Sequence, residues 1–296
     1  MKKKRLLKLL IALTVVVVMV VLSSTVFTLK NVELCFYDSK NNLIEDYSTL
    51  DYFGDEDVQD IIDSGDFGFG KNIFFLQRQD NIDRIEKEHP YIKVIGISAT
   101  FPDGFKIKAV ERKPMYSVYL STGKYAICDK ELKVLEVVDT ISNKYKYIAL
   151  ANLGIDDQEA GNFIKGNNDI DRLARLGSEF SANKYGRTSA IKYFESIRMY
   201  EGYFTEDKTR KCTWLSIQTR PTNEDDSQCA GVRIDIENIS TNFEEKINKA
   251  LSIFNYYFSS TEPDQHSKSL YGVIKVYDNC QGAWVDTIER IDEEEV

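Results

Sequence analysis

The stretch from Gly70 to Pro114, GKNIFFLQRQDNIDRIEKEHPYIKVIGISATFPDGFKIKAVERKP, limits the possible folds most, because its spacing specifies a helix followed by a β-hairpin. Ile82, Ile85 and His89 recur at helical intervals after Asp80, which reads as a cap. The helix stops at Pro90, whose ring cannot continue it. Ile95, Ile97 and Ala99 alternate as in a half-buried strand, Phe101-Pro102-Asp103-Gly104 supplies a turn, and Phe105, Ile107 and Ala109 alternate again. Upstream, Val58, Ile61 and Ile62 form the stripe of a short helix behind Asp55-Glu56-Asp57, and Val32, Leu34 and Phe36 alternate before it. The predicted order is β, α, α, β, β.

Residues 9–29 carry no charged group, and about 20 apolar residues suffice to cross a bilayer as a helix. A transmembrane helix is therefore predicted over 9–29. Lys2, Lys3, Lys4, Arg5 and Lys8 in the tail 1–8 place the N-terminus on the cytoplasmic side and the rest outside. A cleaved leader is the competing reading, with Val21-Leu22-Ser23 or Ser23-Ser24-Thr25 as cleavage sites. The apolar run continues through Val26, Phe27 and Leu29, which favours an anchor.

With the five basic residues of the tail set aside, 33 of the 38 basic residues face 47 acidic ones, a net charge of about −14. Nucleic acid is not an expected partner of such a surface, because phosphate binding needs a positive stripe. Five cysteines, Cys35, Cys128, Cys212, Cys229 and Cys280, leave at least one unpaired within a monomer. Cys212 and Cys229 are the least implausible couple, but a hairpin turning near 223–226 sets Cys212 opposite a residue well after Cys229. Buried thiols acting as small apolar groups are the favoured reading.

After Pro114, alternating runs at Met115 to Leu120, Tyr125 to Cys128, Leu132 to Val137 and Tyr147 to Ala151 read as an antiparallel sheet. A helix beginning near Asp169 turns Ile170, Leu173, Ala174 and Phe180 inward, and strands follow near 191–200, 212–219 and 232–236. A polar loop, Pro221 to Gln228, separates the last two. Phe243, Ile247, Ala250, Leu251, Phe254 and Phe258 keep helical spacing behind Thr241 and Glu244, which have capping-box spacing. Two last strands, Leu270 to Tyr277 and Ala283 to Ile288, precede an acidic tail.

Chemistry is sparse. His89 and His266 are too few and too far apart for a ligand set, and no cysteines have metal-binding spacing, so no metal and no cofactor is expected. His89 reads as a satisfied imidazole at a helix end. Scattered carboxylates identify no hydrolytic pair, so no catalytic residue is assigned and no small-molecule substrate is expected. Gly65-Asp66-Phe67-Gly68-Phe69-Gly70 neither follows a strand nor opens a helix, and no Lys paired with Ser or Thr completes a phosphate loop there, so it reads as a linker between helix and strand, with Phe67 and Phe69 covering apolar surface.

The β-α-α-β-β order is similar to a POTRA domain, a peptide-docking fold. The wording GKNIFFL, HPYIKVIGISATFPDGFKIKAVERKP and YAICDKELKVL resembles the bacterial cell-division proteins FtsQ and DivIB. Gly70, Asn72, Pro90, Ile97, Pro102, Ile107, Glu111, Arg112, Pro114 and Asp129 fall in that family's order, and beyond Leu135 the resemblance is fainter. It implies an α+β chain with one N-terminal transmembrane helix, a POTRA-like domain over 30–113, a mainly antiparallel β domain with two helices over 114–290, and an acidic tail over 291–296.

It further implies a single-pass, non-enzymatic divisome scaffold, enriched at the septum. Its partners would be FtsB/DivIC-like and FtsL-like membrane coiled-coil proteins, which add a strand to the closing edge of the β domain. Lys275, Val276, Tyr277, Asp278 and Trp284 are then the partner-binding candidates, and Glu111, Arg112 and Pro114 an interdomain junction. A POTRA-type envelope protein assisting export or assembly of polypeptides is the alternative.

Overall fold

The computed structural model describes residues 11–19, 21, 25–54, 57–75, 78–142, 146–164, 168–182, 194–204, 211–220, 232–258 and 272–285. The chain divides into two compact units, Met1–Lys113 and Pro114–Val296.

The smaller unit runs β1 (Asn31–Phe36), α1 (Asp57–Ser64), α2 (Arg78–Glu88), β2 (Ile92–Thr100) and β3 (Gly104–Glu111). Its sheet order is β1-β3-β2, with β1 parallel and β2 antiparallel to β3. Phe105, Ile107 and Ala109 on the central strand face one core with Leu34, Phe36, Ile61, Ile62 and Ile85. Asp80 lies inside the first turn of α2 and not at its cap. Ile95 is exposed, because a bulge between Val94 and Gly96 makes it the extra residue; Ile92 and Val94 are buried in its place. The glycine-rich stretch leads from α1 to a 3₁₀ turn, Ile73–Phe75, and not to a strand. Phe67 is buried there while Phe69 is exposed.

The predicted transmembrane helix is corrected: among the described residues no helix is long and apolar enough to cross a membrane. The far end of the apolar run belongs to the folded unit. Leu29 is buried in its core, its N–H donates to Lys71 O at 2.9 Å, and Ile73 N–H donates to Phe27 O at 2.9 Å. Hydropathy counts residues without seeing which of them a neighbouring core claims. The basic tail and the acidic tail lie outside the described residues.

The larger unit holds β4 (Tyr116–Leu120), β5 (Tyr125–Cys128), β6 (Val134–Val138), β7 (Ile148–Ile155), α3 (Asn168–Ala182), β8 (Phe194–Tyr203), β9 (Lys211–Thr219), β10 (Arg233–Ile236), α4 (Phe243–Phe258), β11 (Val273–Val276) and β12 (Gly282–Val285). Its sheet order is β12-β11-β10-β9-β8-β7-β4-β5-β6. Five of its eight strand pairings are antiparallel, in line with the expected mainly antiparallel sheet, while β4–β7, β7–β8 and β10–β11 pair in parallel. Helix α4 packs on β10, β11 and β12, where Ile247, Leu251 and Phe254 join Leu215, Ile217, Ile234, Ile236, Ile274 and Val276 in one core. Burying such a stripe contributes roughly 1.5 to 3 kcal/mol per large apolar side chain.

Among the cysteines, Cys35 and Cys128 are buried free thiols, whereas Cys212 and Cys280 are free but only half-buried. Cys212 pairs in register with Gly202, and Ile239 N–H donates to Thr213 O at 3.0 Å, so the chain opposite Cys212 lies well past Cys229. Cys229, His266, the loop 221–228 and the side chains of Phe180 and Phe258 lie outside the described residues.

Candidate docking edge of the larger sheet

Strand β12 ends the nine-stranded sheet, bonded on one side to β11. Tyr277 N–H donates to Gln281 O at 2.8 Å, which closes the turn between the two strands. Antiparallel ladders alternate bonded and non-bonded pairs. Counting from Tyr277 opposite Gln281, the Lys275–Ala283 and Val273–Val285 pairs are the bonded ones. The backbone N–H and C=O of Gly282 and Trp284 are therefore turned to the open side.

The other sheet edges are capped at one end or bent. Beside β6, Val134 N–H donates to Asn162 O at 2.8 Å and Gly161 N–H donates to Val134 O at 2.8 Å. At β1, Ile44 N–H donates to Phe36 O at 2.9 Å, and β2 carries the Ile95 bulge. Among the described residues no segment pairs with the outer side of β12. An unpaired edge is a template for another strand.

The turn before β12 is fixed by a polar cluster at the start of α4. Lys246, fully buried, donates from Nζ to Asp278 Oδ1 at 2.8 Å, Asn238 O at 2.8 Å, Glu237 O at 3.0 Å and Thr241 Oγ1 at 3.2 Å. Thr241 Oγ1 donates to Asp278 Oδ1 at 2.6 Å and Asn238 Nδ2 donates to the same oxygen at 3.0 Å. Asp278 N–H in turn donates to Glu237 Oε2 at 2.9 Å. The hydrogen bond from Lys246, with those from Thr241 and Asn238, holds the Asp278 carboxyl far below the usual carboxylate range. Thr241, expected to form a capping box with Glu244, serves this cluster.

The predicted partner-binding residues thus separate. Val276 is buried in the core and offers no side chain to a partner. Asp278 is committed to Lys246. Tyr277 is half-buried against Phe204, with ring centroids 5.9 Å apart, at the end of an aromatic row. Phe204 meets Trp214 at 5.6 Å, and Trp214 stacks on Tyr200 at 4.4 Å. Lys275 is half-buried and stands in register with Asp235, whose carboxyl burial pushes up although Ser216 and Arg233 bond it. For Trp284 the backbone alone is described. Lys246 is the residue that sequence reasoning missed, although a Lys one turn from Phe243 and Ala250 on an apolar stripe was a signal for a paired, buried charge.

The predicted junction residues are tied within their own units. Glu111 Oε1 accepts from Tyr52 N–H at 2.8 Å, and its other oxygen pairs with Lys113. Arg112, buried, donates from Nη2 to Glu86 Oε2 at 2.9 Å and from Nε to Ile92 O at 3.1 Å. Pro114 is buried at the first position of the larger unit.

His89 is half-buried at the end of α2, where its N–H donates to Ile85 O at 2.8 Å. Among the described residues no group of His, Cys, Asp and Glu is arranged to hold a metal ion. Comparison with known protein families and with curated proteins finds no match for this chain.

Proposed function

We propose that this protein is a non-enzymatic scaffold of the bacterial division machinery. It binds FtsB/DivIC-like and FtsL-like coiled-coil partners outside the membrane, by strand addition along β12, and helps control septal wall synthesis at the septum. The observation that carries this reading is the outer side of β12, where the backbone groups of Gly282 and Trp284 meet no other strand among the described residues while Lys246 and Asp278 fix the turn that leads into the strand. The resemblance of the Gly70 to Leu135 segment to FtsQ and DivIB supports the choice of partner.

A substitution at Trp284 tests the mode of binding. Proline there removes the outward N–H without removing a bond to β11. Titrated with the outer domain of an FtsB/DivIC-like protein, Trp284→Pro should bind at least about tenfold more weakly than Trp284→Ala, a difference of about 1.4 kcal/mol. Equal affinities would rule out strand addition at β12. In cells, a tagged full-length chain should form a midcell band before constriction, and an even signal throughout would contradict the division role.

A further inference from the structure

The smaller unit carries an exposed aromatic patch that the docking edge does not use. Phe27, Phe74 and Phe101 surround one another, with ring centroids 5.3 Å (27 to 74), 6.3 Å (27 to 101) and 5.9 Å (74 to 101) apart. Phe74 is 57% exposed and Phe101 65% exposed. Phe101 is placed by the turn before β3, Phe74 by the 3₁₀ turn, and Phe27 by the bridge between Thr28 and Asn72. Phe74 and Phe101, held against half-buried Phe27 by separate segments and left facing outward, mark a surface that another medium covers.

Its covering is indicated by what the chain does immediately before it. Residues 11–19 are helical and expose Ile11, Leu13, Val15, Val16, Val17, Val18 and Met19, and Val21 and Val26 are exposed as well. In sequence this uncharged run leads into Phe27, so a single apolar medium that takes aliphatic and aromatic groups suits both. Lys30 and Lys71, both exposed, flank the Thr28–Asn72 bridge in the chain, and Lys30 pairs with Asp103 at 3.2 Å in the turn that carries Phe101. Apolar groups flanked by lysine suit the boundary between acyl chains and anionic headgroups.

We infer that the face of the smaller unit bearing Phe27, Phe74 and Phe101 rests on a lipid surface. The contact is interfacial and requires no spanning helix, and it stands apart from the docking reading of β12.

Quenching by lipids brominated on their acyl chains tests it, using the full chain with vesicles of phosphatidylcholine and phosphatidylglycerol. Phe101→Trp puts an indole in the patch, and Ile95→Trp puts one on the exposed bulge of β2; both positions are exposed, so folding should be preserved. The emission added by Phe101→Trp should fall about twofold on bromination while that of Ile95→Trp stays unchanged. Three outcomes would overturn the inference: no vesicle binding, equal quenching at both positions, or an unquenched Phe101→Trp indole on bound protein. Shielding of that indole without lipid, together with a dimer in sedimentation velocity, would instead assign the patch to a second copy of the chain.

Discussion

The ammonium of Lys246 lies 2.8 Å from Asp278 Oδ1 and so ties the first turn of α4 to the turn between β11 and β12. A buried cation cannot be stranded cheaply, and this sets an asymmetry between its two partners. Asp278→Ala leaves Lys246 without its counter-charge and should lower unfolding free energy by about 2 kcal/mol, a value reduced because Asp278 is partly exposed. Lys246→Met fills a similar volume with no charge and should cost less. Urea titration of both variants measures the difference, and a larger loss for Lys246→Met would contradict the account.

The same pair sets a pH dependence. The folded Asp278 carboxyl titrates below its unfolded value, so its contribution is complete above the unfolded value of about 4 and fades as pH falls below that. The stability gap between the parent protein and Asp278→Asn should be level between neutral pH and about pH 5 and should narrow below about pH 4. A gap that narrows at neutral pH would contradict the assigned direction.

Gly177 on α3 lies against the buried ring of Tyr116. A Cβ there would stand 2.4 Å from Lys130 O and 2.8 Å from Tyr116 Oη. Gly177→Ala should therefore destabilise the larger unit by about 2 kcal/mol despite the better helix propensity of Ala. The Tyr116 hydroxyl has no hydrogen-bond partner among the described residues, so Tyr116→Phe should leave stability unchanged or raise it by up to about 1 kcal/mol. Thermal unfolding checks both, and a Gly177→Ala variant as stable as the parent or a Tyr116→Phe variant clearly less stable would refute the packing.

Arg112 holds the smaller unit together through Glu86 and the carbonyl of Ile92. Lysine keeps the charge but cannot make both bonds with fixed geometry. Arg112→Lys should cost about 2 kcal/mol and Arg112→Ala more, as read by chemical denaturation.

What the sequence revealed follows the range of the interactions involved. Phe243, Ile247, Ala250, Leu251 and Phe254 show their buried stripe through local spacing alone, as do Phe105, Ile107 and Ala109. The bulge at Ile95 was hidden because one extra residue reverses the alternation without changing composition. Parallel pairing of β7 with β4 and β8 was hidden because alternation looks the same in either direction. Asp278 stood out only by family resemblance, and its true partner is 32 positions away on α4, beyond any spacing rule. The apolar run over 9–29 reads as one element, whereas the folded unit takes its last residues.

Amide hydrogen exchange at Gly282 and Trp284 tests the docking edge most directly, because their N–H groups face the open side of β12. Both amides should exchange readily in the isolated protein and become protected when the outer domain of an FtsB/DivIC-like partner is added, while Lys275 and Ala283 change little. Binding that leaves Gly282 and Trp284 exchanging as before would contradict strand addition at this edge.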